Sequence, residues 1–220
     1  MKLSKTTLDV LKNFSEINSG LLIEAGNVVR TKHPSDTIHA IYTSEEEFPN
    51  RVAIYDLNIF LGVISVFDSP NFDFRKECVV ISEEYDPESE NTILYCKPEF
   101  IVSANKINPP PFEICFELEK DVFGKIDKLA RIQELDSYIF EGKDGKLFLR
   151  VGKEKNSESN SFVMKIGDNT YGKDFRCIFS TENFLFLPGH YTVSISTKRI
   201  AKFSHKDVAL EYYVMAKFDK

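Results

Sequence analysis

Lys5 and Lys12 lie on one side of a helix-forming stretch near the start of the chain. Val10, Leu11, Phe14 and Ile17 fall opposite them at about 100° per residue. Lys120, Lys128 and Arg131 stand opposite the apolar side of a second such stretch, with Lys125 on its flank. Ammonium and guanidinium groups so placed meet phosphates without reading bases. One basic helix face is commonplace, because any exposed helix carries lysine. Two in equivalent positions of a chain with net charge −6 weaken that reading. The negative balance argues against coating nucleic acid through the whole surface, but it leaves a local basic strip open. Asp9, Glu16 and Asp127 on these faces temper any grip, which suits sliding better than tight binding.

Other chemistries find little support. The chain has no GxGxxG, no GxxxxGK[ST] and no GxSxG. Cys78, Cys96, Cys115 and Cys177 form no CxxC pair, and His33, His39, His190 and His205 are equally scattered, so no metal site is expected. The cysteines are expected to be free thiols. Carboxylate runs such as Glu45-Glu46-Glu47 and Glu83-Glu84 read as solvated loops. No apolar run approaches the roughly 20 residues of a membrane helix, and no signal peptide is visible, so a cytoplasmic protein is expected. Neither an enzyme nor a cofactor is expected; the pattern suits a protein that works by shape and binding.

The elements that carry these residues come in a repeated order. Lys5 to Ile17 reads as an amphipathic helix capped by Thr6 or Thr7 and stopped by Asn18-Ser19-Gly20. A hairpin follows over Leu21 to Arg30, turning at Ala25-Gly26-Asn27. Ile38 to Tyr42 is a strand, Thr43 to Asn50 an acidic loop, and Asp56 caps a short helix closed near Gly62. Cys78 to Ile81 and Thr92 to Cys96 are strands around the acidic loop Ser82 to Asn91. Ser103 to Pro111, with its three prolines, is an extended connector.

The second half repeats the plan: a strand from Phe112, a helix over Glu117 to Ile132, then strands through Phe218, with Lys153 to Ser161 a polar loop. Ile178 to Leu185, ending in Pro188-Gly189, reads the same way as Ile54 to Gly62: a hydrophobic pair, a capping residue and a short helix. A repeated order of this kind marks a duplicated domain. The expected architecture is α+β, with domains at 1–104 and 112–220 joined by a connector at 105–111.

These residues resemble a known family. Met1 to Lys5, Leu11 to Phe14, Ile17 to Gly20, Val52 to Asn58 and Phe60 to Gly62 are similar to the sliding clamps of T-even-type bacteriophages. Asn105-Lys106 with the following prolines, and Pro188-Gly189 before Tyr191, resemble the same family in the right order. The acidic loops depart from that pattern. The resemblance implies two similar domains of the DNA-clamp fold, with antiparallel sheets outside and short helices lining a ring. It implies a homotrimer that encircles double-stranded DNA, tethers the replicative DNA polymerase and is placed by an ATP-dependent clamp loader in the cytoplasm of the infected bacterial host.

The transcription machinery is a further candidate partner. Partner tails of such clamps dock beside the interdomain connector. Here Ile107, Pro110, Pro111, Phe112, Tyr213 and Met215 are the candidates, and packing is the alternative role for Tyr213 and Met215. Two other readings remain open: a phage structural or assembly protein with duplicated β-rich domains, and a metal-dependent hydrolase using the loop carboxylates.

Overall fold

The computed structural model describes residues 1–86, 88–154 and 160–219. Positions 155–159 of the polar loop expected over Lys153 to Ser161 lie outside the described residues, as does Pro87 of the acidic loop. The chain divides into two compact units, Met1–Lys106 and Ile107–Lys220.

In the first unit, α1 (Lys5–Ile17) starts at Ser4, whose hydroxyl accepts from Thr7 N at 3.2 Å. The cap is therefore Ser4 and not Thr6 or Thr7. Thr7 is instead buried, because its hydroxyl is needed inside. Four antiparallel strands follow: β1 (Leu21–Ile23), β2 (Gly26–Lys32), β3 (Ile38–Phe48) and β4 (Val52–Ile54), in the order β4-β1-β2-β3. The acidic stretch from Thr43 is not a loop. It continues β3 to Phe48, with Ser44 and Phe48 buried while Thr43, Glu45 and Glu47 face out. Strict alternation makes this strand, and its inward Glu46 finds partners there.

Helix α2 (Leu57–Ile64) is capped by Asp56, whose carboxylate accepts from Asn58 N at 2.9 Å and Ile59 N at 3.2 Å. It runs through Gly62 and ends at Ser65. A second sheet comprises β5 (Pro70–Phe74), β6 (Cys78–Glu83) and β7 (Glu90–Leu94), with β6 central. Leu3, Leu11, Leu21, Phe48, Leu57, Phe60 and Phe74 leave only about 10 Å³ of residual space between them. That is near the lower limit for one water, so this core is close-packed.

The second unit opens with β8 (Ile114–Leu118) and α3 (Lys120–Ile132). Phe123, Ile126 and Ala130 are the buried face of α3, and Leu118 belongs to β8. Strands β9 (Ser137–Lys143), β10 (Lys146–Gly152), β11 (Phe162–Asp168) and β12 (Phe175–Ser180) follow. Then come β13 (Tyr191–Ser196), β14 (Ile200–His205), β15 (Leu210–Met215) and β16 (Lys217–Asp219). They form antiparallel arrays ordered β15-β14-β13-β8 and β11-β10-β9-β12-β16. The β9–β10 hairpin turns on Asp144-Gly145, both at positive φ (50° and 72°), the backbone that a two-residue type I′ turn requires.

Where the first unit has α2, the second has only a 3-10 turn over Thr181–Asn183. The space beside it is filled by aromatic rings. The Phe184 ring is tilted against Tyr138 at 4.5 Å and Phe186 at 4.7 Å, and Phe186 lies 4.7 Å from Phe203 and 4.6 Å from Tyr212. Two tyrosine hydroxyls fix the following segment: Tyr191 donates to Leu187 O, and Tyr212 accepts from Leu187 N at 3.0 Å. A Cβ at Gly189 would collide with the His205 ring, so Pro188-Gly189 marks a close approach.

Candidate functional site

The helix faces singled out in the sequence are exposed. Lys5, Thr6, Asp9, Lys12 and Glu16 are the solvent side of α1. Its two lysines stand with two carboxylates, so the face is electrically balanced. Lys12 and Asp9 line a shallow furrow of about 510 Å³ shared with Asn58, Leu61 and Gly62 of α2. Helix α3 is different. Lys120, Asp121, Lys125, Lys128 and Arg131 are all exposed, which leaves an excess of positive charge. Sequence spacing alone made the two faces look equivalent; counting their carboxylates separates them.

The α3 cations are not identical in use. The Lys125 ammonium sits 5.7 Å from the centre of the Phe162 ring, which holds it at the flank. Arg131 Nε donates to Asp127 at 2.9 Å, and the other Asp127 oxygen accepts from the buried Tyr138 hydroxyl at 2.7 Å. Burial first, and then the Asp127 carboxylate, push the Tyr138 phenol far above its ordinary value. Asp127 is therefore a structural acceptor as well as a charge on the face. Among the described residues, no group of three or more His, Cys, Asp or Glu could hold a metal ion. The cysteines are free. No helix among the described residues is long and apolar enough to cross a membrane.

The candidate peptide-docking residues fall into two places. Phe112, half-buried, lies under the Lys202 ammonium at 5.9 Å. Lys202 donates to Glu211 at 3.2 Å, and the Tyr213 hydroxyl donates to the same carboxylate at 2.9 Å. Phe112 and Tyr213 are thus joined through one polar cluster. Tyr213 is only 8% exposed, and its phenol is pushed up by burial and by Glu211. Packing is its role here. Met215, on the next outward position of β15, is 55% exposed. It borders a separate depression of about 610 Å³ with Asp136, Glu154, Ile178, Ser180 and Lys217. Ile107 and Pro110 are half-buried and Pro111 is exposed.

One buried network escaped the sequence reading. Glu46 accepts hydrogen bonds from Ser4 N, Ser44 Oγ and Thr7 Oγ1, the last at 2.6 Å, and Thr7 also meets Tyr42 Oη at 2.9 Å. Partial burial opposes ionisation of Glu46, but the hydrogen bonds from Ser44, Thr7 and Ser4 outweigh it and hold the carboxyl at about 2. The network ties the start of α1 to β3. Its signal was the alternation in Thr43 to Phe48.

No family model matches the chain. It is 29% identical to the sliding clamp of Vibrio phage KVP40, over 97% of this chain and 98% of that protein. It is 29% identical to the sliding clamp of Escherichia phage RB69, over 98% of this chain and 96% of the other. It is 28% identical to that of Enterobacteria phage T4, over 90% and 88%. Among solved structures, PCNA of A. fulgidus bound to the C-terminal region of FEN-1 superposes with a TM-score of 0.72 at 13% identity, over 100% of this chain and 98% of that one. PCNA of Entamoeba histolytica superposes with a TM-score of 0.70 at 15% identity, over 96% and 94%. The fold is the DNA-clamp fold, and the resemblance to T-even-type clamps extends along nearly the whole chain.

Proposed function

We infer that this chain is a sliding clamp: a non-catalytic ring of three copies that encircles duplex DNA and tethers a replicative polymerase inside the infected bacterial cell. The observation that carries this reading is similarity to phage sliding clamps from end to end, on a clamp fold whose α3 exposes Lys120, Lys125, Lys128 and Arg131. Contacts from those groups to phosphate carry no sequence information. A ring needs only that: encirclement supplies persistence, and weak backbone contacts leave it free to move.

A clamp loader places the ring, and polymerase or transcription partners dock a tail in the depression beside Met215. The exposed Met215 thioether beside its depression supports that second point.

The test is retention on DNA before and after linearisation. The protein loaded on a nicked circle should co-elute with it through gel filtration and leave when one restriction cut opens the circle. Retention that survives the cut would overturn the topological reading.

A further inference from the structure

We propose that His205 is a latch that closes only while its ring is neutral, tying the Pro188-Gly189 segment to the turn between β14 and β15 and releasing both in acid. The latch lies within the second unit and needs neither DNA nor another copy of the chain. Both ring nitrogens are in use, and each has one role open to it. Nδ1 accepts from Asp207 N at 3.0 Å and from Val208 N at 3.2 Å. A nitrogen that accepts from two N–H groups carries no proton of its own. Nε2 therefore holds the single proton of the neutral ring, and it donates to the Pro188 carbonyl. A Cβ at Gly189 would strike this same nitrogen, so glycine is what lets the segment come so close.

A second proton has nowhere to go while the turn is closed. On Nδ1 it would face two N–H groups in place of the lone pair they need, leaving both without an acceptor. The ring is also half-buried, edge-on to Tyr191 at 5.0 Å, where a cation is poorly solvated. Uptake of a proton and opening of the turn are thus one event.

Charged groups face the ring from several elements. Asp207 in the turn favours a protonated ring, while Lys120 on the first turn of α3 and His190 before β13 oppose it. On β8, Glu117 is engaged by Lys206 at 2.9 Å and by His190 at 3.2 Å, and Glu119 stands 3.5 Å from the other His190 nitrogen. The hydroxyls of Tyr191 and Tyr212 are turned to Leu187. Burial first, with Lys120 and His190 adding to it, holds the His205 ring below its ordinary value against the Pro188 carbonyl and Asp207. A freed ring takes up its proton near 6.5, the closed ring only at lower pH. The latch is therefore at full strength above about 6.5 and weakens as pH falls from there through the closed ring's lower value.

Amide hydrogen exchange, expressed as protection factors, tests this at pH 7.5 and 5.5. In the parent protein the Asp207 and Val208 amides should lose protection by up to about tenfold at the lower pH. Phe203, inside β14, should keep its own. His205→Asn retains an acceptor for the turn amides and does not titrate, so it should show no such loss. His190→Gln should show the same loss as the parent. Nitrogen NMR of the parent at pH 7.5 should find the His205 proton on Nε2.

Unchanged protection in the parent, an equal loss in His205→Asn, or a proton on Nδ1 at pH 7.5 would overturn the latch. If His205→Asn does not fold, the other two measurements decide: disappearance of the loss in His190→Gln would move the switch to that residue.

Discussion

Glu46 shows how a single acidic side chain can be structural in the middle of an acidic run. Its neighbours Glu45 and Glu47 are exposed, while Glu46 gathers donors from Ser4, Thr7 and Ser44. Glu46→Gln should cost about 1–2 kcal/mol at neutral pH, less than a fully buried network would, because the group is partly solvated. The sign of the pH dependence follows from its depressed value. The unfolded chain takes up a proton on this group near 4.5, but the folded chain only near 2. The stabilisation is therefore complete above about 4.5 and fades as pH falls toward 2. Urea unfolding of parent and variant should show a stability gap at pH 7 that narrows at pH 3; a gap independent of pH would remove Glu46 as its source. The sequence carried the cue in β-alternation, but a run of three glutamates hid it.

The bounds of α1 were readable from its apolar stripe and the Asn18-Ser19-Gly20 stop over Lys5–Ile17, but its cap was not, since Ser4 and not Thr6 or Thr7 holds the first turn. Helix α3 was read three residues too early, since Leu118 extends its apolar spacing while serving, with Glu117, in β8. The short helix expected after Ser180 is one 3-10 turn, where aromatic packing around Phe184 replaces helical hydrogen bonding. Local pattern cannot see that competition, which is decided by distant rings. Gly124 offers a clean experiment on α3. It lies in the helix interior, is exposed, and a Cβ there would meet nothing within 4 Å. Gly124→Ala should stabilise the protein by about 0.5–1 kcal/mol through reduced freedom of the unfolded chain. Chemical denaturation checks this; a loss of stability would mean the backbone there is not relaxed.

On the reading proposed above, α3 of this acidic chain faces DNA, so substitutions of opposite sign on it should act oppositely. Lys12→Ala with Lys128→Ala should weaken duplex binding and flatten its salt dependence by about 0.9 in log–log slope for each phosphate contact removed. Asp127→Asn should strengthen binding, because it releases Arg131 from its ion pair and leaves the Tyr138 hydroxyl an acceptor oxygen. Fluorescence anisotropy across a salt series would check both; equal effects from the two changes would contradict a backbone-directed α3. The duplicated plan was visible in the order of helices, hairpins and turns. Which strands lie bare at a sheet edge was not, because an edge strand and a half-buried inner one share the same alternation.

Strand β7, at the edge of the sheet it forms with β6 and β5, also offers an optical readout. The chain contains no tryptophan, so an indole introduced at exposed Leu94 would be the sole emitter of its kind. Its colour would report directly how far water reaches that edge, without any label.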